Sequence, residues 1–441
     1  MPDTSPPRSS STPRVFGMAS ATPQVVEQRA ELRSRLASDA LTVGVIGQGI
    51  VGAMTARLAS RAAARVIAYD RDPARVAAVG RESEGVPNWS VVDDVMALNS
   101  ADVLVIAVRV PLRSDGTPDV SPLQRACSDV ARLELRPRLL MLETTVPPGT
   151  TRRMFEPLVT SDDAALLVAH CPERLRVGDG EQEVLSVPRL VGGLTSAATS
   201  LACFYLTRVG YQVVPVSSPE VAELSKLLEN AFLTTGISLM GEITRLAHAL
   251  GVSAMEVASA AASKPNGYYS FWPGAGIGGH CLGNDLALLQ GTARRLRIST
   301  PLLDGVADAA AAMTPSVLDY LRLLLRQQSL ELKGAKIWIV GVGFKVGSSD
   351  TAATPAIDLV RGLRKQGADV VYSDKGVDDF SVDDTPVLRV THEAWPQDVT
   401  AAVVLAGDPT LNLSTLSEHV VLILDLGGAR IMSGSAPVHT L

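Results

Sequence analysis

The chain is 441 residues long, and its 46% hydrophobic and 20% charged residues are typical of a globular protein of about two to four domains. The formal net charge of -6 argues against a nucleic-acid partner, because that affinity requires clustered Lys and Arg. The longest apolar runs have the length of buried strands, so no membrane segment is predicted. The four cysteines are widely separated, which predicts neither a metal site nor a disulfide framework and fits a reducing cytoplasm.

The N-terminal segment, residues 1–38, begins with a stretch that is rich in Ser, Thr and Pro and poor in large apolar side chains. Such a composition cannot form a core, so we expect a disordered tail over this stretch. A short helix is predicted after the tail, from Gln24 to Ala37.

From Leu41 the sequence LTVGVIGQGIVGAMTARLA joins a short β-branched run, a glycine turn and a helical stretch. The turn contains Gly47, Gly49 and Gly52, and a second apolar strand ends in Asp70 roughly 20 residues further on. This order forms the dinucleotide-binding fingerprint; the alternative is a glycine turn in an ordinary βα unit. Backbone N–H groups of such a turn reach a pyrophosphate and the carboxylate binds a ribose diol. Asp70 would repel a 2′-phosphate, so the pattern favours NAD, and Arg71 and Arg75 keep NADP open as the alternative.

Three further apolar runs lack polar alternation, as expected for parallel strands covered on both faces. These runs cover residues 102–108, 138–142 and 166–169. Ligand-facing loops of such a sheet lie at the carboxyl ends of the strands. The loops there begin at Arg109 and span residues 143–150 and 170–174, and ordinary turn chemistry is the alternative for each.

A helical period begins at Pro219 and continues to Gly251, a length of roughly 45 Å at 1.5 Å per residue. Ser218 supplies a cap signal and Gly251 a stop signal. Lys226 and Asn230 are four residues apart, so both project from one face of this helix. A solvated face of Lys and Glu is the alternative interpretation.

Further helices are predicted at 252–262, 286–297 and 301–327. A second α/β unit begins at Lys336 with KIWIVGVGFK, a strand followed by a glycine turn. Val346 stands where the third glycine of the fingerprint would be, so we expect this unit to hold a nucleotide or phosphate differently.

The stretch SFWPGAGIGGHCLGND, from Ser270 to Asp285, crowds five glycines around Cys281. Dense glycine is tolerated mainly where the backbone approaches a ligand closely or adopts positive φ. A free thiol on such a loop can meet a substrate at close range. The alternative is a structural turn with a small buried cysteine.

Together these segments resemble the UDP-glucose/GDP-mannose dehydrogenase family from about residue 41 to the end of the chain. The resemblance rests on GQGIVG, TTVPPGTTR, PER, AELSKLLENAF, PGAGIGGHC with Asp285, and VGVGFK followed by Asp350. It implies an α/β fold of two Rossmann-like doubly wound domains joined by a central all-helical dimerisation domain with a long linking helix. The implied domains are an NAD-binding domain at 39–217, the helical domain at 218–328 and a C-terminal nucleotide-sugar-binding domain at 329–441.

Members of this family oxidise the C6 alcohol of a nucleotide sugar to a carboxylate with NAD, through two hydride transfers. The resemblance implies that Cys281 attacks the intermediate aldehyde, giving a thiohemiacetal and then a thioester that water hydrolyses. Lys226 and Asn230 would stabilise the developing oxyanion. Glu173 and Asp285 would assist proton transfer and hydrolysis. The predicted catalytic residues are Cys281, Lys226, Asn230, Asp285, Glu173 and Thr145.

The resemblance also implies binding residues and partners. The predicted cofactor contacts are Gly47, Gly49, Ile50, Val51, Gly52, Asp70, Arg75, Val108 and Thr145. The predicted substrate contacts are Glu173, Arg174, Lys226, Tyr268, Tyr269, Phe271, Gly278 and Lys345, with Lys345 on the diphosphate. Core packing is the alternative for each of the three aromatic side chains. The partners are a nucleotide-sugar substrate and a second copy of the chain in a homodimer.

The spelling PGAGIGGHC and the segment DGTPDVS are closer to the branch of the family that acts on UDP-N-acetylhexosamines. The Arg of the family's D-x-R-x-S-P pattern is missing between Asp350 and Pro355, so we expect altered substrate binding and an unusual nucleotide sugar. Two other functions stay open. One is a two-electron β-hydroxyacid-type dehydrogenase that does not need the thiol, and the other is a nucleotide-sugar-binding protein without turnover.

Overall fold

The computed structural model describes residues 23–113, 115–134, 138–159, 166–176, 178–344, 349–351, 353–390, 398–405, 416, 418–426 and 436–440. The predicted disordered tail up to residue 22 and the predicted diphosphate ligand Lys345 lie outside these ranges.

The first half of the chain forms one eight-stranded sheet. Its strands are β1 (Thr42–Ile46), β2 (Arg65–Tyr69), β3 (Trp89–Val92), β4 (Val103–Ile106), β5 (Arg138–Leu142), β6 (Leu166–His170), β7 (Arg189–Gly193) and β8 (Val213–Pro215). Their order in the sheet is β3-β2-β1-β4-β5-β6-β7-β8. All neighbours pair in parallel except β6 with β7. The inner strands β4 and β5 are buried at every position, which explains their uninterrupted apolar sequence.

Seven helices and two short 3-10 turns accompany this sheet in the described residues. The helices are α1 (Pro23–Ala37), α2 (Ile50–Ala59), α3 (Pro73–Ser83), α4 (Ser121–Ala131), α5 (Thr150–Phe155), α6 (Glu181–Ser186) and α7 (Ser196–Val209), and the 3-10 turns are Val95–Ser100 and Glu156–Leu158. Two apolar clusters built on alternate residues of the strands pack between the sheet and its helices. Because the strands are parallel, the loops after β1, β2, β4 and β5 emerge at one edge of the sheet.

The middle of the chain is helical in its described residues. Its helices are α8 (Pro219–Leu250), α9 (Ala254–Ala262), α10 (His280–Leu296), α11 (Pro301–Ala311) and α12 (Met313–Gln327). The long helix α8 has 32 residues, with Ser218 accepting a hydrogen bond from Val221 N at one end and Gly251 at φ 72° at the other. The cap and stop signals in the sequence therefore predicted this helix correctly. Helices α10 and α11 pack along α8.

The last part of the chain forms a second, six-stranded parallel sheet. Its elements in chain order are β9 (Lys336–Val340), α13 (Pro355–Lys365), β10 (Asp369–Ser373), the antiparallel pair β11 (Ser381–Val382) and β12 (Thr385–Pro386), then β13 (Leu388–Arg389), β14 (Val399–Val404), β15 (Val420–Asp425) and β16 (Val438–Thr440). The sheet order is β13-β10-β9-β14-β15-β16. Two doubly wound units around a helical centre confirm the predicted fold class.

One predicted boundary was wrong by about two turns. The sequence predicts a helix from Leu286, but α10 begins at His280, so Cys281 lies in the first helical turn instead of a loop. Gly279, with φ 82°, ends the glycine-rich loop immediately before this turn. The glycines on both sides of the thiol concealed the helix start, because glycine is unfavourable inside a helix. None of the described helices has an apolar stretch long enough to cross a bilayer.

Candidate active site

The first glycine turn lies between β1 and α2. Gly47 N donates to Tyr69 O at 2.9 Å, and the φ of 91° at Gly47 is one that favours glycine. A Cβ on Gly52 would overlap the carbonyl oxygen of Gly47, so only glycine lets α2 start this close to β1. Asp70, immediately after β2, accepts a hydrogen bond from Gln48 N at 2.7 Å and so ties the turn to the second strand.

The space beside Gly49 is open. No heavy atom lies within 4 Å of the position that a Cβ on Gly49 would take. Its φ of -71° is accessible to any residue, so the backbone there does not require glycine. The next two residues, Ile50 and Val51, begin α2, whose first N–H groups have no acceptor within the helix. An open space in front of a helix N-terminus fits the pyrophosphate of a dinucleotide.

Gly49→Ala is expected to leave thermal stability unchanged while weakening NAD binding by about tenfold or more, a cost of about 1.4 kcal/mol or more. The added methyl group occupies space that no protein atom uses but that the pyrophosphate would fill. Fluorescence titration with NAD measures the effect. Gly80→Ala on α3 is the matched control, because a Cβ there also meets nothing within 4 Å. Equal NAD affinity of both variants would contradict this assignment.

Two other predicted cofactor residues lie near the turn. Val108 follows β4 and is half-buried, with its Cγ1 3.0 Å from the position of a Cβ on Gly47. Arg75 is exposed on α3 and forms no ion pair within the described ranges. Arg71 instead directs its Nη2 to Asp129 Oδ2 at 3.9 Å. The cofactor role of Arg75 stays a prediction.

Four of the predicted catalytic residues meet between α8 and α10. Asn230 Nδ2 donates to Asp285 Oδ2 at 2.5 Å, which joins the two helices. Asn230 is 8% exposed and Asp285 is 3% exposed. Lys226, one turn before Asn230, is half-buried, and Cys281, one turn before Asp285, is exposed. The structure thus brings an amine, an amide, a carboxyl group and a thiol to one place.

These charges act on the thiol in opposite directions. Although Cys281 is exposed, desolvation by the surrounding protein atoms raises the pKa of its thiol above the ordinary value of 9.0, and Asp285 acts in the same direction. Lys226 and Arg109 lower this pKa, because a cation favours the thiolate. Burial also raises the pKa of the Asp285 carboxyl, against the opposing effects of Lys226 and Asn230. The two cations therefore offset only part of the rise in the thiol pKa.

Arg109 is a residue whose role the sequence analysis missed. It follows β4, is exposed, and brings a positive charge to Cys281 from the side of the first sheet. The loop that it begins reaches α10, since Pro118 Cδ lies 4.0 Å from the position of a Cβ on Gly291. Its place at the carboxyl end of a parallel strand was the signal that could have identified it.

Glu173 and Arg174 are held by other protein groups. Glu173 Oε1 accepts hydrogen bonds from Arg174 N at 2.7 Å and Leu175 N at 3.0 Å, and its Oε2 forms an ion pair with Arg189. Arg174 reaches across to α8, where its Nε donates to Glu229 Oε2 at 3.0 Å. Both predicted substrate residues thus carry structural contacts, and Arg174 links the first sheet to the long helix.

Glu143 extends this buried cluster. Its Oε1 lies 3.6 Å from Arg189 Nη1, and its Oε2 accepts a hydrogen bond from Thr55 Oγ1 at 2.6 Å. Burial raises the pKa of Glu143 to about 7, although Arg189 acts to lower it. Two buried carboxyl groups thus share one guanidinium. Thr145, two residues beyond Glu143, is half-buried at the same edge of the sheet.

The predicted aromatic residues pack beside α8. The rings of Phe232, Tyr269 and Phe271 form a cluster with centroid distances of 5.1, 5.8 and 6.0 Å. Phe271 lies over Gly236, where a Cβ would overlap its ring, so packing accounts for this residue. Tyr268 and Tyr269 are 41% and 57% exposed and so leave surface for a ligand.

The glycine-rich loop before α10 lies against the second α/β unit. A Cβ on Gly278 would stand 3.2 Å from Pro355 Cδ and 3.5 Å from Phe344 Cδ2. Phe344 belongs to the second glycine turn and immediately precedes Lys345, which lies outside the described ranges. The loop that leads to the thiol thus contacts the turn predicted to hold the diphosphate.

The second glycine turn follows β9 and is held by an aspartate, as the first turn is, but no helix begins directly after it in the described residues. Asp374, after β10, accepts hydrogen bonds from Val342 N at 2.8 Å and Gly343 N at 2.9 Å, much as Asp70 ties down the first turn. However, α13 begins only at Pro355, so its N-terminus does not follow the turn directly. How the second unit holds a ligand stays a prediction.

Sequence models of one family match two consecutive parts of the chain. Residues 41–206 match the NAD binding domain of the UDP-glucose/GDP-mannose dehydrogenase family, and residues 220–311 match the central domain of the same family. The first match contains the open glycine turn and Asp70, and the second contains Lys226, Asn230, Cys281 and Asp285. The cofactor of the first unit is therefore NAD.

Individual relatives span most of the chain. It is 29% identical over 397 residues to UDP-N-acetyl-D-mannosamine dehydrogenase of Pyrococcus horikoshii, covering 83% of this chain and 89% of that protein. It is 27% identical over 352 residues to NDP-N-acetyl-D-galactosaminuronic acid dehydrogenase of Ralstonia solanacearum, covering 74% and 81%. The solved structure of UDP-D-ManNAc dehydrogenase from Pyrococcus horikoshii superposes with a TM-score of 0.80 at 26% identity, covering 91% of this chain and 99% of that one.

Proposed function

Because the chain belongs to the UDP-glucose/GDP-mannose dehydrogenase family, we propose that it oxidises the C6 hydroxymethyl group of a UDP-hexose or UDP-N-acetylhexosamine to a carboxylate. The observation that carries this proposal is the meeting of Cys281, Lys226 and the Asn230–Asp285 pair between α8 and α10. An NAD-dependent enzyme that stopped at the aldehyde would not need a thiol there. The relatives named for N-acetylated sugars favour the UDP-N-acetylhexosamine as substrate.

The proposed reaction removes four electrons in two steps. Bound NAD supplies the hydride acceptor, first for the alcohol and then, as a second molecule, for the thiohemiacetal. Between these steps the Cys281 sulfur adds to the aldehyde carbon, forming a C–S bond while the carbonyl oxygen takes a proton. The second oxidation leaves a thioester on Cys281. Water then breaks the C–S bond, which releases the carboxylic acid and restores the thiol.

The neighbouring polar groups suit this sequence. The Lys226 ammonium lies close enough to the sulfur to lower the thiol pKa, so it can also stabilise an oxyanion on the carbon that the sulfur attacks. One Asn230 N–H is used on Asp285, and the other N–H of the amide is available to the same oxyanion. Asp285 has a raised pKa and lies one helical turn from Cys281, which suits it to accept and return protons.

Thr145 and Glu173 have less direct proposed roles. Thr145 would hold a water or the nicotinamide at the edge of the first sheet. Glu173 would assist hydrolysis of the thioester, but both of its oxygens are engaged by backbone N–H groups and Arg189. Asp285 is therefore the better placed of the two acids. We propose that Glu173 acts mainly by holding its loop in place.

The substrate would lie between the helical middle and the second sheet. We propose that Tyr268 and Tyr269 contact the sugar nucleotide, that Gly278 lets the backbone approach it, and that Lys345 meets the diphosphate. This arrangement divides the chain into the three proposed domains, at 39–217, 218–328 and 329–441. A cytoplasmic location fits a soluble nucleotide-sugar substrate.

A coupled assay tests the proposed function directly. The purified protein is incubated with NAD and a panel of UDP-, GDP- and TDP-sugars, and NADH is followed by absorbance while the sugar product is quantified by mass spectrometry. We expect two NADH per uronic acid formed. One NADH per sugar would support the two-electron alternative. Tight binding of a nucleotide sugar without any NADH would support the binding protein.

We also propose that the chain forms a homodimer through α8. One stripe of this helix carries exposed apolar side chains at three- and four-residue steps and their multiples. They are Val221, Leu224, Leu228, Phe232, Leu239, Leu246 and Leu250, each at least 40% exposed. A long apolar stripe of this kind on a protein surface is expected to be covered. Glu242 lies on the same stripe but pairs with Arg245 of the same helix, so apolar side chains dominate the stripe and a second copy of it is a complementary partner.

Leu239→Glu is expected to convert the dimer to a monomer, because it places a charge at the centre of the apolar stripe. Analytical ultracentrifugation at micromolar concentration measures the change. Leu388→Glu, at a similarly exposed leucine on β13 of the second sheet, is the control and should remain dimeric. A Leu239→Glu protein that sediments like the wild type would exclude α8 as the interface.

A further inference from the structure

Glu223 is a buried carboxylate on α8 that the proposed reaction does not use. It lies one turn before Lys226 and is 1% exposed. Its Oε2 accepts a hydrogen bond from Gly149 N at 2.5 Å, and its Oε1 accepts one from Thr151 N at 2.8 Å. Both donors belong to the first turn of α5 and the residue before it. One side chain of the long helix therefore satisfies backbone groups of the first α/β unit.

The same turn is also fixed from the sheet. Thr151 Oγ1 lies 3.3 Å from His170 Nδ1, at the end of β6. Burial lowers the pKa of His170 to about 3, so its ring is neutral at neutral pH. Gly149 adopts φ 84°, which lets the chain turn sharply into α5. The loop that carries Thr145 thus ends in a turn that β6 and Glu223 hold from two sides.

A second glutamate of α8 contacts α5 in a different way. Glu220, one turn before Glu223, accepts a hydrogen bond from Arg152 Nε at 2.6 Å. This pair is partly exposed and joins two flexible side chains, so it restrains the backbone little. Glu223 instead holds two backbone N–H groups and fixes α5 directly. Glu220 and Glu223 can therefore be compared directly. Both contact α5 from α8, but only Glu223 fixes the position of the α5 backbone relative to α8.

We propose that Glu223 is a positioning residue that holds the NAD-binding unit against α8, so that Arg109 and Thr145 on one side meet Lys226 and Cys281 on the other. The active site is built from both units, and Glu223 is the buried contact nearest in sequence to its amine. The catalytic consequence of this inference rests on the proposed function. The predicted position of the NAD-binding unit against α8 does not rest on that function. It can be tested without substrate, because the charge of Arg109 acts on the pKa of the Cys281 thiol in the free protein.

A double-mutant cycle on the thiol tests the inference without any sugar substrate. The rate of Cys281 alkylation by iodoacetamide is measured against pH at low ionic strength, with the modified residue identified by mass spectrometry. Arg109→Met is expected to raise the midpoint of the alkylation rate against pH by on the order of half a pH unit, because the variant lacks a cation close to the thiolate. In the Glu223→Ala background the same change should shift the midpoint by less than half as much.

Glu220→Ala is the control background, and Arg109→Met should keep its full effect there. If Arg109→Met shifts the midpoint equally in the wild type, in Glu223→Ala and in Glu220→Ala, the inference is wrong. Circular dichroism establishes that each variant is folded. Glu223→Gln, which keeps the side-chain length and one acceptor oxygen, replaces Glu223→Ala in the cycle if the alanine variant does not fold.

Turnover supplies a second readout. In Glu223→Ala we expect kcat to fall by about tenfold or more while NAD affinity changes by less than about threefold, because the glycine turn and Asp70 are untouched. If Glu223 served only the stability of the fold, its replacement would lower the melting temperature and leave kcat unchanged. If the wild type oxidises no nucleotide sugar, the proposed function fails, and the alkylation cycle still decides the role of Glu223.

Discussion

Replacement of Cys281 by alanine is expected to abolish carboxylate formation and to lower kcat by on the order of a thousandfold or more, as the loss of a covalent nucleophile does. Without the sulfur the aldehyde cannot become a thiohemiacetal, so the second oxidation has no substrate. The assay measures NADH and uronic acid in the same reaction. We expect at most one NADH per sugar and no uronic acid.

Cys127→Ser is the matched control for this change. Cys127 is half-buried on α4 and packs against the apolar cluster of the first sheet. Its replacement should leave the yield of two NADH per uronic acid unchanged. An alanine variant at position 281 that still produced the acid would refute the thioester route. Full activity with one NADH per sugar would instead identify a two-electron dehydrogenase.

Local sequence patterns predicted the parts of the fold that depend on neighbouring residues. The turn from Gly47 to Gly52 and the acid at Asp70 follow from strand, turn and helix signals within about 30 residues. The bounds of α8 follow from Ser218 and Gly251, whose capping roles are local. The family comparison then placed both in one enzyme family, which the amino-acid spacing alone could not do.

Contacts between distant segments were not predictable in the same way. Glu223 lies on a helix face that, in sequence, looks like a solvated run of Lys and Glu, yet it is buried against α5. Arg189 binds Glu143 and Glu173 across two other strand ends, and no local pattern marks such a pairing. Arg109 acts on Cys281 from another unit. Each of these depends on how separate units pack.

Lys226→Met is expected to reduce kcat by about a hundredfold to a thousandfold, the usual effect of removing one oxyanion donor. The same change removes a cation that lowers the pKa of the Cys281 thiol, so that pKa should rise and alkylation at neutral pH should slow.

Asp285→Asn should shift the alkylation midpoint in the opposite direction, because Asp285 raises the thiol pKa. Stopped-flow NADH formation and the pH profile of alkylation measure the two effects separately.

Lys226→Arg separates charge from geometry. A guanidinium keeps the positive charge, so the alkylation profile should stay near that of the wild type, but its planar donors cannot replace a compact ammonium at the oxyanion, so kcat should remain low. Lys264→Met, at an exposed lysine beyond α9, is the control for loss of a positive charge and should change neither measurement. A Lys226→Met enzyme that kept kcat within about threefold would remove this amine from the mechanism, because an oxyanion donor contributes far more than that.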